Sequence, residues 1–453
     1  MDDYALGASV LKKSVCFVSL GCAKNRVDSE NMIGTLIAEG YELTTDETAC
    51  DLLVINTCGF IEPAKRESLA EIARAIRRKN KRSRMSIIVA GCLVQRYPDL
   101  LADEFPEIDA FIGVHDIHRI ADLAEACVAG KRPVYVSKQS DGEERILPRH
   151  LTTPAHMAYI KISEGCDNRC SYCAIPLIRG PMISRSMHLL VDEAHALSEL
   201  GVKELIVVAQ DPTRYGLDMH GSYLLPELVA RLASIRGIEW IRLMYAHPAR
   251  TGVLLDALTA SDKVLRYADI PVQHASHRVL RLMGRGGDRV SLLERVDAIR
   301  RRIPDISLRS TFMVGFPGET AEDFAELLEF IGQAAFEHAG VFKYSSEDDT
   351  PAAAMPRAVE SCEAERRFNL AMRAQQRVAI KQHQKRLGSA VRFVVESVAH
   401  PRYTGRTEFQ APEIDGVTRL AWTGQSLAIG DIVDVVLESV EEHDFHATGS
   451  ASR

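Results

Sequence analysis

Cys166, Cys170 and Cys173 stand at C-x3-C-x2-C spacing within Gly165-Cys-Asp-Asn-Arg-Cys-Ser-Tyr-Cys173. Three thiolates on one loop can each hold a different iron of a 4Fe–4S cubane, which leaves the fourth iron without a protein ligand. A zinc knuckle would need a fourth Cys or His close by, and none lies in the dozen residues after Cys173; the nearest downstream is His188. Buried free cysteines are the other plain alternative. A second constellation is more dispersed. Cys22 ends C-F-V-S-L-G-C, Cys58 ends D-L-L-V-I-N-T-C and Cys92 ends I-I-V-A-G-C, with Gly21, Gly59 and Gly91 adjacent. Each follows an apolar run, so in a parallel sheet all three would fall at the same carboxyl edge, where ligand crevices form. Glycine lets the backbone turn and a cluster approach closely. One such cysteine would read as a small core residue. Three at equivalent positions favour a second 4Fe–4S cluster. Cys16, Cys50, Cys127 and Cys362 lack the placement and read as core or surface thiols.

The elements that must position these residues form three regions. Up to about Ala129, strands at Val15–Leu20, Leu52–Asn56, Ser86–Ala90 and Ala110–Gly113 alternate with helices at Ser29–Glu39 and Pro63–Arg78. That alternation predicts an α/β layer on a parallel sheet. A polar stretch, Ser137 to Pro154, reads as a linker. From Met157, strands begin near Met157, Glu204, Glu239, Arg266, Ser307 and Ala339. Helices are expected at His188–Leu200, Leu224–Ala233, Val290–Arg302 and Ala321–Gln333. Six repeats predict a partial parallel barrel with its chemistry at the carboxyl ends of the strands. Val359 to Leu387 is a long charged helix stopped by Gly388. From Ala390 to Glu441, β-branched runs and turns predict a small antiparallel barrel.

The chain has 453 residues, 46% hydrophobic and 26% charged, and a net charge of −7. This is the composition of a globular, multidomain protein with little tendency to bind nucleic acid along its whole length. No apolar run approaches the roughly 20 residues of a membrane span, and Met1 to Lys13 has no export pattern. A cytoplasmic, reducing setting follows, in which ten cysteines are better read as ligands and free thiols than as disulfides.

The C-x3-C-x2-C loop, with Tyr172 before its last cysteine and a strand before it, resembles the signature of the radical-SAM superfamily. The resemblance implies S-adenosylmethionine on the open iron, reductive cleavage of its sulfonium bond, and Tyr172 near the adenine. Together with the three N-terminal cysteines and the C-terminal β-barrel, the chain is identified as a member of the methylthiotransferases, whose last module is the TRAM domain. The implied fold class is α/β: a flavodoxin-like N-terminal sheet, a partial (β/α)6 radical-SAM barrel and a small antiparallel β-barrel. The expected boundaries are 13–130, 152–384 and 386–453. The family's chemistry uses one S-adenosylmethionine to methylate sulfur at the auxiliary cluster and a second to remove hydrogen from substrate carbon, where CH3–S is delivered. Two 4Fe–4S clusters are implied, on Cys22, Cys58 and Cys92 and on Cys166, Cys170 and Cys173. An electron donor such as flavodoxin or ferredoxin is also implied.

The family divides between transfer-RNA adenosine and an aspartate of small-subunit ribosomal protein S12. Ser19-Leu-Gly-Cys-Ala-Lys-Asn-Arg-Val-Asp-Ser-Glu30 resembles the ribosomal-protein branch, with Ala23 and Arg26 where Pro and Leu are commoner. Ala411-Pro-Glu-Ile-Asp-Gly416 also resembles that branch. From Ser389 onward, five arginines face ten acids, a net −5. Such a barrel would repel phosphate and attract a basic protein. The same acids are otherwise a solvated surface. A non-catalytic metal-binding adaptor of the ribosome is the rival from another class. Gln210 and Gln273, at barrel strand ends, are further candidates for cofactor contacts. Arg309, inside the fifth strand, is a candidate partner for the methionine carboxylate. A satisfied core polar group or surface pair is the alternative for each. Thr311-Phe-Met-Val-Gly-Phe-Pro-Gly-Glu319 occupies a region such barrels use for the adenosyl group. Met283-Gly-Arg-Gly-Gly287 is flexible and basic but lacks the Lys-Ser/Thr of a phosphate loop.

Overall fold

The computed structural model describes residues 13–450 except 82, 83, 141 and 401; Arg453, counted in the charge balance, lies outside them. Compactness divides the chain into two units. The first is Met1–Thr152 with the short segment Leu177–Gly180; the second is Thr153–Pro176 with Pro181–Arg453.

The first unit is built on six parallel strands: β1 (Ser14–Ser19), β2 (Glu42–Leu43), β3 (Leu52–Thr57), β4 (Ser86–Gly91), β5 (Ala110–Ile112) and β6 (Val134–Tyr135), in the order β2-β1-β3-β4-β5-β6. Every residue of β3 is buried, as expected of a central parallel strand covered on both faces. Alternation sends Val15, Val54, Ile88 and Ile112 to one core layer and Cys16, Leu53, Ile55, Val89 and Phe111 to the other. Cys50 and Cys127 complete these cores, and Cys362 is exposed.

Helix α1 (Ala23–Ala38) begins six residues before the sequence expectation, directly after Cys22. Its first turns bury Lys24, Asn25, Asp28, Ser29 and Glu30, a polar face that apolar periodicity does not reveal. The end of the expected linker is also fastened. Arg149 Nη2 lies 2.7 Å from the fully buried carboxylate of Glu30, and Thr152 N donates to the same group at 2.9 Å.

In the second unit six parallel strands follow one another in sequence: β7 (Met157–Lys161), β8 (Glu204–Val208), β9 (Trp240–Leu243), β10 (Val264–Asp269), β11 (Ser307–Val314) and β12 (His338–Lys343). The sheet is open between β7 and β12, a partial (β/α)6 barrel. The long helix Ser361–Gln384 follows, and Gly388 beyond it has φ +80.

The C-terminal barrel closes through β13 (Ala390–Ala399), β14 (Arg402–Thr407), β15 (Thr418–Thr423), β16 (Ile432–Glu441) and β17 (Asp444–Ser450). Contrary to an all-antiparallel expectation, β15 and β17 pair in parallel. A closed ring with an odd number of strands cannot alternate direction all the way round, so one parallel pair is unavoidable.

This small barrel belongs to the same compact unit as the six-stranded one because the loop region from Arg406 to Asp415 docks onto the amino ends of the parallel strands. Arg406 is 1% exposed; its Nη2 donates to Glu204 at 2.7 Å and its Nε to Glu396 at 2.7 Å. Arg242 donates to the other oxygen of Glu204 at 2.9 Å and to the carbonyl of Glu408 at 3.2 Å. Burial alone would raise the Glu204 pKa, but Arg406 and Arg242 outweigh it and hold the carboxyl at about 2.

Candidate active site

The loop after β7 carries Cys166, Cys170 and Cys173, the first buried and the others half-buried. Hydrogen bonds help fix its shape. Cys173 N donates to Cys170 O at 3.1 Å, and Ser171 N donates to Met283 O at 2.9 Å. Asn168 N approaches Cys166 Sγ at 3.4 Å, and its amide donates to Asp211 at 2.6 Å. Asp211 is in turn ion-paired with Arg250. Burial, then the neighbouring thiols, pushes the Cys173 pKa to about 12, and burial likewise raises Cys166. Ligation of a cluster must expel the protons that burial holds on Cys166 and Cys173.

Arg285, from the flexible basic stretch Met283–Gly287, donates to Cys170 Sγ at 3.6 Å and to Tyr172 Oη at 3.4 Å. Tyr172 rests against an apolar group of Val279, Met283, Phe316 and Ala352, with Met313 alongside. The structure thus brings Tyr172 to the Thr311–Glu319 segment. There Glu319 accepts from the backbone N–H groups of Gly315 and Phe316 and holds the turn.

Gln210 follows β8, and both polar atoms of its amide are buried without a hydrogen-bond partner. A buried amide in that state costs about 1–3 kcal/mol unless something supplies the missing bonds. Gln273 sits beyond β10 at φ +70; its N–H donates to Thr311 O at 2.8 Å and its carbonyl accepts from Met313 N at 2.7 Å. Tyr245, after β9, has φ +68. Two non-glycine residues in left-handed backbone at one rim are the strain found at ligand sites. No sequence signal pointed to Tyr245.

Arg309 is placed differently from the expectation. It is the third residue of β11, and its guanidinium is held by Asp415 of the docked loop, with Asp269 at 3.9 Å. Tyr267 Oη donates to the same Asp415 at 2.6 Å. The carboxylate that Arg309 holds is therefore Asp415, a residue of the Ala411–Gly416 motif, in place of the methionine carboxylate.

The second triad belongs to the first unit. Cys22 is the N-cap residue of α1, Cys58 follows β3 directly, and Cys92 opens the short helix Cys92–Arg96 after β4. β1, β3 and β4 are neighbours, with Ser19 opposite Asn56 and Thr57 opposite Gly91, so Cys58 and Cys92 leave the sheet in register. The three cysteines therefore share one carboxyl edge. Strand-to-strand spacing is about 4.8 Å. A Cβ on Gly21, whose φ is +92, would lie 3.3 Å from Cys58 Sγ; one on Gly59 would lie 2.9 Å from the Cys92 carbonyl. Cysteine loops this close leave room at the edge only for glycine.

Cys22 is open to solvent, Cys58 half-buried and Cys92 buried. Around Cys22 the surrounding protein raises the pKa, but the charges of Lys24 and Arg179 outweigh it, so its thiol lies below the ordinary value. Burial, then the Cys92 thiol, pushes Cys58 to about 12. The polar face of α1 braces this edge. Asn25 donates to Leu20 O at 2.6 Å, and Asn56 donates to Asn25 O at 2.9 Å and to Ser29 Oγ at 2.8 Å. Ser68 Oγ bonds both the N–H and the carbonyl of Cys58 at 3.0 Å. The signal for this network was present in the run Asn25, Asp28, Ser29 at helical spacing after Cys22.

Among the described residues no group of three or more His, Cys, Asp or Glu converges on a single ion position. Thiolates that each bind a different corner iron of a cubane need no common point, whereas zinc ligands must share one. The donor sets fit clusters, and the orphaned Gln210 amide fits a polar cofactor beside one of them. No helix among the described residues is long and apolar enough to cross a membrane.

Family models match three segments: Uncharacterized protein family UPF0004 at residues 14–113, the Radical SAM superfamily at 160–331 and the TRAM domain at 387–449. Among curated proteins, the chain is 42% identical over 436 residues to the ribosomal protein uS12 methylthiotransferase RimO of Desulforamulus reducens, covering 95% of this chain and 98% of that one. It is 45% identical to the protein of the same name from Pelotomaculum thermopropionicum, with 94% and 97% covered. It is 43% identical to that of Pelobacter propionicus, with 96% and 98% covered. Among solved structures, the radical S-adenosylmethionine methyltransferase TsrM from Kitasatospora setae, with cobalamin and a [4Fe–4S] cluster bound, aligns with TM-score 0.55 at 16% identity. That match covers 76% of this chain and 74% of TsrM, a likeness of fold. The arrangement of two cysteine triads on these three segments, at this identity over nearly the full length, makes the chain a member of the RimO family of radical-SAM methylthiotransferases.

Proposed function

We propose that the chain replaces one hydrogen on the β-carbon of an aspartate in ribosomal protein S12 with a methylthio group. The observation that carries this reading is the presence of two separate cysteine triads, each at the carboxyl edge of a parallel sheet. One is suited to radical generation and the other to sulfur delivery. The two triads would each hold a 4Fe–4S cluster, and S-adenosylmethionine bound beside Cys166, Cys170 and Cys173 would supply the hydrogen-abstracting chemistry.

The chain's own residues prepare that chemistry. Asn168 and Arg285 fix the sulfur atoms of Cys166 and Cys170 before ligation. Gln210 offers one donor and one acceptor to the cofactor, Tyr172 an aromatic face to its adenine, and the strained backbone at Gln273 a rim contact. The three functional segments are 13–130 for the auxiliary cluster, 152–384 for the radical and 386–453 for substrate. The setting is the cytoplasm, with the electron coming from a donor such as flavodoxin or ferredoxin.

The acidity of the last barrel reads differently once its partners are known. Asp415, Glu396, Glu408 and Asp444 are taken by Arg309, Arg406, Arg392 and Arg419. Asp434 and Glu438 point outward along β16, and Glu441 and Glu442 are exposed at its end. This strand is the face we assign to the basic S12 protein, through charge complementarity rather than apolar burial. The test is mass spectrometry of S12 from cells with and without the chain. An added SCH3 in place of hydrogen on the aspartate peptide, present only with the chain, is expected; an unchanged peptide rejects the substrate.

A further inference from the structure

Arg179 lies in the segment Leu177–Gly180, which belongs to the first unit. It is 2% exposed. Its Nη2 is 2.8 Å from Asp28 Oδ2, 3.5 Å from Asn25 Oδ1 and 3.4 Å from the sulfur of Cys92. Its charge also acts on the thiols of Cys22 and Cys58. A buried guanidinium fixed by a buried carboxylate is costly to assemble, and it needs a return from the group that it addresses. Besides the anchoring Asp28 and Asn25, the guanidinium addresses the sulfur of Cys92.

We infer that Arg179 is a positioning residue of the auxiliary cluster: it donates a charge-assisted hydrogen bond to the Cys92 thiolate and raises the cluster's reduction potential. This rests on the assignment of Cys22, Cys58 and Cys92 as cluster ligands. Hydrogen bonds to ligating sulfur favour the reduced, more negative state, and potential is tuned by such bonds and by nearby charge. Asp28 holds the guanidinium in place, and Asn25, bonded to the Leu20 carbonyl, limits its swing.

The test uses the full-length chain carrying Cys166→Ala, Cys170→Ala and Cys173→Ala, reconstituted with iron and sulfide, so that only the auxiliary cluster is present. This background should hold about four iron; no iron would defeat the auxiliary-cluster assignment itself. Two variants are compared on it, Arg179→Lys and the pair Arg179→Gln with Asp28→Asn, which removes both charges and leaves no buried carboxylate unpaired. Redox titration followed by electron paramagnetic resonance should show the reduction equilibrium of the paired variant at least tenfold less favourable. For one electron that is about 59 mV more negative. Its g-values should change, and Arg179→Lys should recover most of the midpoint. Iron bound at the parental level with an unchanged midpoint and spectrum overturns the inference. Loss of secondary structure in both variants also overturns it, because Arg179 would then be an internal support only.

Discussion

Replacing Arg406 with methionine should loosen the C-terminal barrel from the parallel one and do so in a pH-dependent way. Arg406 is 1% exposed and joins Glu204, also 1% exposed, to Glu396. Deleting one partner of a buried pair costs about 3–5 kcal/mol. Arg242 stays at 2.9 Å from Glu204, so the lower end applies. The Glu204 carboxyl sets a ceiling on its own share of this. Its folded pKa of about 2 against an unfolded value near 4.3 corresponds to roughly 3 kcal/mol, supplied by Arg406 and Arg242 together. Because the folded value is the lower one, this stabilisation is complete above about pH 4.3 and is lost as pH falls through about 2. The variant should therefore lag the parent by about 3 kcal/mol at neutral pH, and the gap should shrink between about pH 4 and pH 2. The chain's two tryptophans provide the assay. Trp240 is fully buried at the start of β9 and Trp422 lies in β15, so intrinsic fluorescence during urea unfolding reports on both partners of the dock. A midpoint unchanged at pH 7, or a gap that persists on acidification, would refute the reasoning.

Gln210→Ala should weaken S-adenosylmethionine binding by about tenfold, the worth of two modest hydrogen bonds, with iron content unchanged; equilibrium dialysis on the reconstituted protein measures both. Gly21→Ala places a methyl 3.3 Å from Cys58 Sγ at φ +92, so iron should fall from about eight to about four per chain with the fold retained by circular dichroism. Neutralising Asp434, Glu438, Glu441 and Glu442 to their amides should slow association with S12 about tenfold at low salt and flatten its salt dependence. Cleavage of S-adenosylmethionine in the absence of S12 should be unaffected.

Much of the architecture was legible because the strands bearing the chemistry are buried apolar runs. β3, β4 and β8 begin within one residue of their expected positions, since a parallel strand covered on both faces has a continuous pattern. The cysteine edge followed from the same runs. What stayed hidden was polar. The first turns of α1 bury Asn25, Asp28, Ser29 and Glu30, so hydrophobic periodicity misplaced the helix start. Arg179 and Arg285 approach cysteine sulfurs over 87 and 115 residues of chain, separations that carry no local signal. Arg309 was misassigned for the reverse reason. Arginine in a barrel strand suggests an anionic ligand, and its anion is Asp415, delivered by a loop about a hundred residues away. The short edge strands β2 and β6, two residues each, lie below what pattern reading resolves.

The most direct measurement is in vitro. The reconstituted full-length chain is incubated with purified S12, S-adenosylmethionine and a one-electron reductant, and the S12 peptides are then mass-mapped. The expected product carries SCH3 in place of one hydrogen on a single aspartate, and Cys22→Ala and Cys166→Ala each abolish it. Modification that persists without either cysteine, or S12 left unmodified by a chain holding about eight iron and cleaving S-adenosylmethionine, would contradict the proposed reaction.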